Sequence, residues 1–412
     1  MSNRINLIVN HLSQGSNYLV DPLHFLKLES LIPPEVNEHR LKLRKLLETE
    51  VAPTISNYVE SATFPTEFLK HFKGLLGLKE AKYGCRQISE FEKNLTLYEL
   101  ARIDASLATF YAVCMSLVIY TIEKLGSEEQ KAKYLPGLVN LDIIGCWGLT
   151  EPNFGSDASS LETTATPVDG GFVISGEKRW IGNAPMSDIM IIWARNTETK
   201  QVQGFIIPSK SEGVKIEKME RKLALRIVQN GHIYLKNVKV PLTSRLEKAK
   251  NFTNGVNVVL EYSRVSIPWM GIGVIAGTYE ASAKYTNSRI QFGAPLSAYQ
   301  LNQEKLVKLL GHFQSAFLMT WRITVLQQSN EAKVAKVSLV KAWVSSIGRD
   351  AVRLGRELLG GNGIIIDNYV MKALVDMEVI YTYEGTYDTN ILVVGRDITG
   401  IPAFKSTYKV RN

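Results

Sequence analysis

The apolar residues of this chain change their spacing twice, and that double change restricts the fold more than any single motif. From about Pro34 to Leu141 the period is helical. Leu41, Leu43, Leu46, Leu47 and Val51 recur on one stretch, and Leu97, Leu100, Ala101, Ile103 and Leu107 on another. Ser127-Glu128-Glu129-Gln130 predicts a helix start, a hydroxyl cap followed by acids near the positive end of the dipole, and Pro136 is expected to limit that helix. From Cys146 to about Leu246 the spacing turns strand-like. Asp169-Gly170-Gly171 makes a turn before Phe172-Val173-Ile174-Ser175, and Ile189–Trp193 and Gly204–Ile207 are apolar runs of strand length. From Asn257 helical spacing returns over Gly271–Arg289, Leu301–Gln327 and Lys333–Leu359.

The expected class is therefore mainly α with a central antiparallel β domain. The boundaries run 1–30 for an extended or targeting N-terminus, 31–145 helical, 146–250 β and 251–412 for a C-terminal antiparallel helix bundle. Strands and helices do not alternate, so a doubly wound nucleotide fold is excluded. Gly271, Gly273 and Gly277 resemble a dinucleotide loop, but the spacing is wrong and no strand precedes them. Close helix packing is the better reading.

Composition narrows the function classes. A net charge of +8 suits an anionic ligand such as a coenzyme phosphate. No basic-aromatic run or zinc-finger spacing accompanies it, so nucleic-acid binding is not expected, and no metal site is read. Cys85, Cys114 and Cys146 form no CxxC pair and read as small core hydrophobes. The apolar stretch Val265–Gly277 contains Pro268 and falls short of the roughly 20 residues of a membrane span, so no such span is expected.

Five short segments carry chemistry. Glu384, in Tyr383-Glu384-Gly385-Thr386, sits on a glycine turn behind the apolar run Val379-Ile380-Tyr381. That is a setting for a general base held out of water, although an acid before Gly is more often a plain turn residue. Leu149-Thr150-Glu151-Pro152 runs into Gly155-Ser156-Asp157, whose amides and hydroxyls suit a polar ring edge or a phosphate, or simply join helix to strand. Trp180-Ile181-Gly182-Asn183 offers an indole to cover a flat cofactor, or a core tryptophan. Arg289-Ile290-Gln291-Phe292-Gly293, with Gln300, offers a guanidinium for a pyrophosphate and an aromatic for an adenine. Leu359-Gly360-Gly361-Asn362-Gly363 lets backbone approach a ligand, or caps a helix.

In this order and with these gaps, the five segments resemble the acyl-CoA dehydrogenase and oxidase superfamily. The likeness runs from about residue 30 to 405, and is strongest to the plant-type peroxisomal short-chain acyl-CoA oxidases, with the glutaryl-CoA dehydrogenases related. The resemblance implies a C-terminal four-helix bundle, FAD as cofactor, an acyl-CoA substrate and a dimer or tetramer that shares FAD sites. Glu384 matches the base that removes the α-proton, and Gly385 a substrate contact in the same turn. Thr150 and Ser156 match flavin and substrate contacts, and Trp180 the residue flanking the isoalloxazine. Arg289, Phe292 and Gln300 match contacts to a neighbouring subunit's FAD, and Gly360, Gly361 and Gly363 the loop approaching that FAD. Thr386 matches a further FAD contact, and Arg264 with Glu261 a CoA-binding pair in which relatives often have Asp for Glu261.

Two departures refine the expectation. Gly182 stands where many dehydrogenases have Thr or Ser near flavin N5. The missing side chain leaves room for molecular oxygen, which favours an oxidase making trans-2-enoyl-CoA and hydrogen peroxide. The alternative is a dehydrogenase passing electrons to an electron-transferring flavoprotein; a reading of another class is a catalytically silent acyl-CoA-binding scaffold. In Arg102–Thr109, Ala108 stands where glutaryl-CoA dehydrogenases have an arginine, so a short unbranched acyl chain is expected over a dicarboxylic one. Arg4-Ile5, five residues, then His11-Leu12 resembles an N-terminal peroxisomal targeting nonapeptide. The peroxisome is thus the expected location, with the mitochondrial matrix or cytoplasm as alternatives.

Overall fold

Helix α1 (Pro34–Leu46) begins on a proline, whose missing N–H would have had no partner inside the helix. The computed structural model describes residues 21–403, so the Arg4–Leu12 segment lies outside the described residues. Ser89 caps α2 (Glu90–Ile103) by accepting the Glu92 N–H at 3.1 Å, and Asp104 caps α3 (Ala105–Ala112) through the Ser106 N–H. The coil widens over Val113–Ile119 and continues into α4 (Tyr120–Leu125). Ser127 and Gln130 close a reciprocal capping box at the start of α5 (Glu128–Val139). Pro136 does not limit α5, as expected, but lies within it. The ring removes one backbone bond near the end, and buried Leu135, Leu138 and Val139 hold the last turn.

The middle domain is one seven-stranded sheet: β1 (Gly145–Gly148), β2 (Thr164–Val168), β3 (Gly171–Gly182), β4 (Ile189–Asn196), β5 (Val202–Pro208), β6 (Val214–Lys218) and β7 (Asn230–Pro241). The order runs β1-β4-β2-β3-β7-β6, with β5 on the other edge of β4. The expected antiparallel pairing holds for β2-β3, β3-β7, β4-β5 and β6-β7, and is corrected at β4, to which β1 and β2 both run parallel. The physical reason lies in β4, whose first six residues are all buried. Such a strand accepts parallel neighbours that arrive from elsewhere in the chain. A register shift between Lys178 and Ile181 makes a bulge in β3 at Trp180, whose φ is +66°. A bulge re-aims side chains, and Trp180 stands 55% exposed on a strand flanked by buried Lys178 and Ile181.

After the sheet come α6 (Val258–Ser263) and the central helix α7 (Ser266–Ser288). Next follow a hairpin of β8 (Ile290–Gln291) and β9 (Ala294–Pro295), and the long helices α8 (Gln300–Gln328) and α9 (Val334–Leu358). The chain ends with α10 (Val370–Thr382) and α11 (Tyr387–Thr399). Helices α7 to α10 form the bundle and α11 lies on α9. The glycines of α7 serve close packing. A Cβ on Gly273 would lie 2.4 Å from the Tyr98 carbonyl oxygen, and one on Gly277 2.3 Å from that of Arg102. Each glycine costs a helix about 1 kcal/mol against alanine, and contact between α7 and α2 is what it permits. Two helical runs, Ala105–Leu125 and Thr253–Ser288, are long and apolar enough to cross a membrane by length and composition alone. They are 83% and 72% buried within the fold, so the core uses their apolar surface.

A buried ionic network ties α1, α2 and α7. Glu99 accepts from Arg40 at 2.9 Å and from Arg102 at 2.7 Å, Arg102 also reaches Glu280 at 2.8 Å, and Arg44 bridges Asp21 and Glu280. Charges this far from water persist only when each has a partner.

Candidate active site

Helix α10 ends because the chain must turn sharply into α11. Tyr383 is extended, Glu384 is left-handed at φ +55°, Gly385 follows at +88°, and Thr386 caps α11 by accepting the Thr389 N–H at 3.1 Å. Glu384 in that conformation is strained, at an order of 1–2 kcal/mol for a non-glycine residue. Gly385 is required for space as well as φ, since a Cβ there would lie 2.9 Å from Asn390 Nδ2. The turn is tied from several elements. Ser263, last residue of α6, donates its hydroxyl to Glu384 Oε2 at 3.0 Å. Arg264 donates Nε–H to the Glu384 carbonyl at 3.0 Å. Lys341 of α9 donates to the carbonyls of Tyr381 at 2.8 Å and Gly385 at 2.6 Å. Asn390 donates to the carbonyls of Gly385 at 2.8 Å and Thr386 at 3.0 Å.

Burial raises the Glu384 pKa above the ordinary carboxylate value, against the opposing pull of Arg264, the Ser263 hydroxyl and Lys341. Some of the residue's surface stays open, but packed protein surrounds the carboxyl and makes burial the dominant cause. Half-buried Tyr383 stands next to it in the chain, its hydroxyl 3.6 Å from Met270 Sδ, and its own pKa is likewise pushed up, chiefly by burial of the phenol. A carboxylate with a raised proton affinity, half sheltered and oriented by a hydroxyl, is equipped to take a proton from carbon.

Around Trp180 the sequence motifs meet. The Thr150 carbonyl accepts the Arg179 N–H at 2.8 Å, and the Arg179 guanidinium lies 5.4 Å from the Trp180 ring centre. Glu151 is the keystone of its motif. It accepts from the amides of Glu162 at 2.7 Å and Thr163 at 2.9 Å and pairs with buried Lys178 at 2.8 Å. Thr150 is partly buried and Ser156 exposed on the loop that Glu151 anchors. The space expected beside Gly182 is narrow: a Cβ would lie 3.3 Å from Val113 Cγ2 and 3.8 Å from Val228 Cγ1. Val113 thus occupies part of the room read as an opening for oxygen.

The remaining predicted residues gather elsewhere. Phe292 and Gly293, at φ +51° and +76°, make the two-residue turn joining β8 to β9, and Phe292 stands 96% exposed at its tip. Arg289 and Gln300 are exposed on either side of that hairpin, and Gly360 and Gly361 are exposed with nothing within 4 Å of an added Cβ. Gly363 is buried, its Cβ position 2.5 Å from the Arg356 carbonyl. Asn362 donates to the Tyr285 hydroxyl at 2.7 Å, which ties the glycine loop to the end of α7. Among substrate-site residues, Glu261 is exposed at the start of the segment that carries Ser263 and Arg264.

Sequence reasoning missed Ser263, Lys341 and Asn390. For Lys341 a signal existed: it sits among Val337, Val340 and Val344 on the buried stripe of α9, where a charged residue needs a reason.

The comparisons bear on the whole chain. The acyl-CoA dehydrogenase N-terminal, middle and C-terminal domain families match residues 33–142, 146–238 and 254–399. A glutaryl-CoA dehydrogenase of Mycobacterium smegmatis, solved in complex with FADH2, is 31% identical with a TM-score of 0.90, covering 93% of this chain and 100% of that one. Butyryl-CoA dehydrogenase of Megasphaera elsdenii is 25% identical with a TM-score of 0.85, over 89% of this chain and 98% of that one. The mitochondrial short-chain specific acyl-CoA dehydrogenase of Rattus norvegicus is 28% identical over 89% of this chain and 90% of its own length. With helical, β and helical domains in the same order and an acid-bearing turn between α10 and α11, the chain belongs to the acyl-CoA dehydrogenase family.

Proposed function

We propose that this protein binds FAD and removes the α-proton and β-hydride of an acyl-CoA thioester to give the trans-2-enoyl-CoA. The single observation that carries the reading is Glu384, a carboxylate of raised proton affinity held by Ser263 on a strained turn. Glu384 takes the α-proton onto its carboxylate, and its backbone N–H donates to the thioester oxygen as negative charge develops there. When bound, FAD supplies the acceptor for the hydride that leaves the β-carbon. The residues present fit such a cofactor: exposed Trp180 on its bulge offers a face for a flat ring, Thr150 is tied to the adjoining Arg179 amide, and Ser156 stands exposed on the same loop as Thr150. Exposed Phe292, Arg289, Gln300 and the open Gly360-Gly361 backbone suit the adenine and pyrophosphate of a neighbouring subunit's FAD. Thr386 stands in the turn as a further contact, and Arg264 with Glu261 serves the CoA end.

The dehydrogenase reading takes precedence over the oxidase one. The relatives compared are named dehydrogenases, and Val113 narrows the space beside Gly182. Gly182 itself favours the oxidase as a second reading, with oxygen as acceptor. The substrate is a short monocarboxylic acyl chain. Ala108 is fully buried where a distal carboxylate would need a cation, and nearby Arg102 is committed to Glu99 and Glu280. Delivery to the peroxisome rests on the Arg4–Leu12 segment alone, and mitochondrial relatives make the matrix the alternative.

The test is anaerobic bleaching of the flavin by a panel of acyl-CoAs, followed by air or an electron-transferring flavoprotein. Butyryl-CoA is expected to bleach it and glutaryl-CoA not to. Reoxidation by the flavoprotein, slow in air, supports the dehydrogenase; rapid peroxide formation supports the oxidase. No bleaching by any acyl-CoA overturns the proposal.

A further inference from the structure

Lys341 carries a charge into a place where charge is expensive. It is fully buried, on the core stripe of α9, between Val337 and Val344. Its ammonium donates two hydrogen bonds to backbone carbonyls that flank the base: Tyr381 at 2.8 Å on one side of Glu384, Gly385 at 2.6 Å on the other. Asn390 of α11 shares the Gly385 carbonyl at 2.8 Å. The residue between them, Glu384, is left-handed, a conformation a non-glycine residue keeps only when its surroundings enforce it. Ser263 reaches only the carboxyl and Arg264 only the Glu384 carbonyl, so neither fixes both ends of the turn.

We infer that Lys341 is a positioning residue for the α-proton transfer: its ammonium clamps the two carbonyls around Glu384, sets the turn that aims both the carboxylate and the Glu384 amide, and supplies positive charge beside the base. The inference rests on Glu384 as the base. The charged and titratable groups in play are Glu384 and Arg264, which both act on Lys341, and Tyr383, whose phenol adjoins the turn. Burial pulls the Lys341 pKa down to about 7, with Glu384 opposing that shift and Arg264 adding to it. A neutral amine still has two N–H bonds for two carbonyls, so the clamp outlasts deprotonation while the charge does not.

The experiment compares Lys341→Met, which removes donors and charge at similar volume, with Lys341→Arg, which keeps both. Rates of α-proton exchange on butyryl-CoA are measured against pH in each flavoprotein. The Met variant is expected to lose about 100-fold in maximal exchange rate, the scale of a misplaced reacting group. Its KM should stay within about threefold, because uniform binding is untouched. Its acid limb should move to higher pH, since removing a cation raises the proton affinity of Glu384. Arg should restore the limb and at least about tenfold of the rate. A Met variant within about threefold of the parent with the limb unmoved overturns the inference, as does an Arg variant no better than Met. If Met yields no folded flavoprotein, Lys341→Gln against Lys341→Arg decides by charge alone. The limb should rise only for Gln, and coincident limbs overturn the inference. If the parent itself exchanges no α-proton, the base assignment falls. The clamp is then read separately, from deuterium exchange of amides 383–390, which Lys341→Met must accelerate if the clamp exists.

Discussion

The turn at Glu384 and the hairpin at Phe292 are built on opposite plans. The first is held from α6, α9 and α11, and its donors are already committed to named acceptors. The second displays a phenylalanine at 96% exposure, with Tyr299 the neighbouring ring at 6.4 Å. A large bare aromatic beside an arginine is the mark of a surface that something else covers. The difference teaches where a single chain is self-sufficient. On the proposed reading, the chain holds its proton-transfer turn with its own side chains, while the hairpin displays a surface that suits a neighbouring molecule.

The comparison breaks first at Glu384. Glu384→Gln is expected to lower α-proton exchange by about 10²–10⁴-fold, the usual worth of a general base, while flavin absorbance stays. Exchange at the parent rate would mean another base acts. The same variant reports on acidity. Because the folded protein raises the Glu384 proton affinity, stability contributed by its proton is present below the ordinary value of 4.5 and is lost as pH climbs through the raised one. Exchange activity should rise over that interval, and Gln should melt no lower than the parent at neutral pH; scanning calorimetry and a pH–rate profile check both.

The hairpin gives the next effect. Arg289→Ala with Phe292→Ala should loosen FAD by roughly tenfold to 100-fold, the worth of a charge-assisted pair plus a stacked ring, with the unfolding temperature of apoprotein unchanged. Cofactor retention on dilution and sedimentation velocity together read it. Undiminished retention in a monodisperse single chain would remove the idea of a shared surface. The smallest effect is local. Thr386→Ala deletes the cap of α11 and should cost about 1 kcal/mol, measured by urea unfolding, with a slower proton exchange because the cap adjoins the turn.

Much of the scaffold was legible because burial period is a local property. The Ser127 capping box and the packing role of Gly273 and Gly277 follow from spacing, and so does the division into helical, strand and helical segments. The parallel pairs were not legible. Ile189–Trp193 reads as a buried strand, but an apolar run does not say which distant strand lies beside it. Pro136 read as a stop because the chain alone does not reveal the core that holds the turn beyond it. At the site, Glu384 was visible through its glycine turn and apolar approach. Ser263 and Asn390 were not, and Lys341 showed only as a charge on an apolar stripe, since each meets Glu384 or its turn only after α6, α9 and α11 converge.

The salt-linked cluster of Asp21, Arg40, Arg44, Glu99, Arg102 and Glu280 joins the N-terminal helices to α7 at the centre of the C-terminal bundle. Neither of these two regions can therefore melt alone without separating buried ions from their partners. The N-terminal helices and α7 must come apart in a single cooperative event, and a fragment cut before Glu280 would deprive Arg44 and Arg102 of a carboxylate that both of them reach.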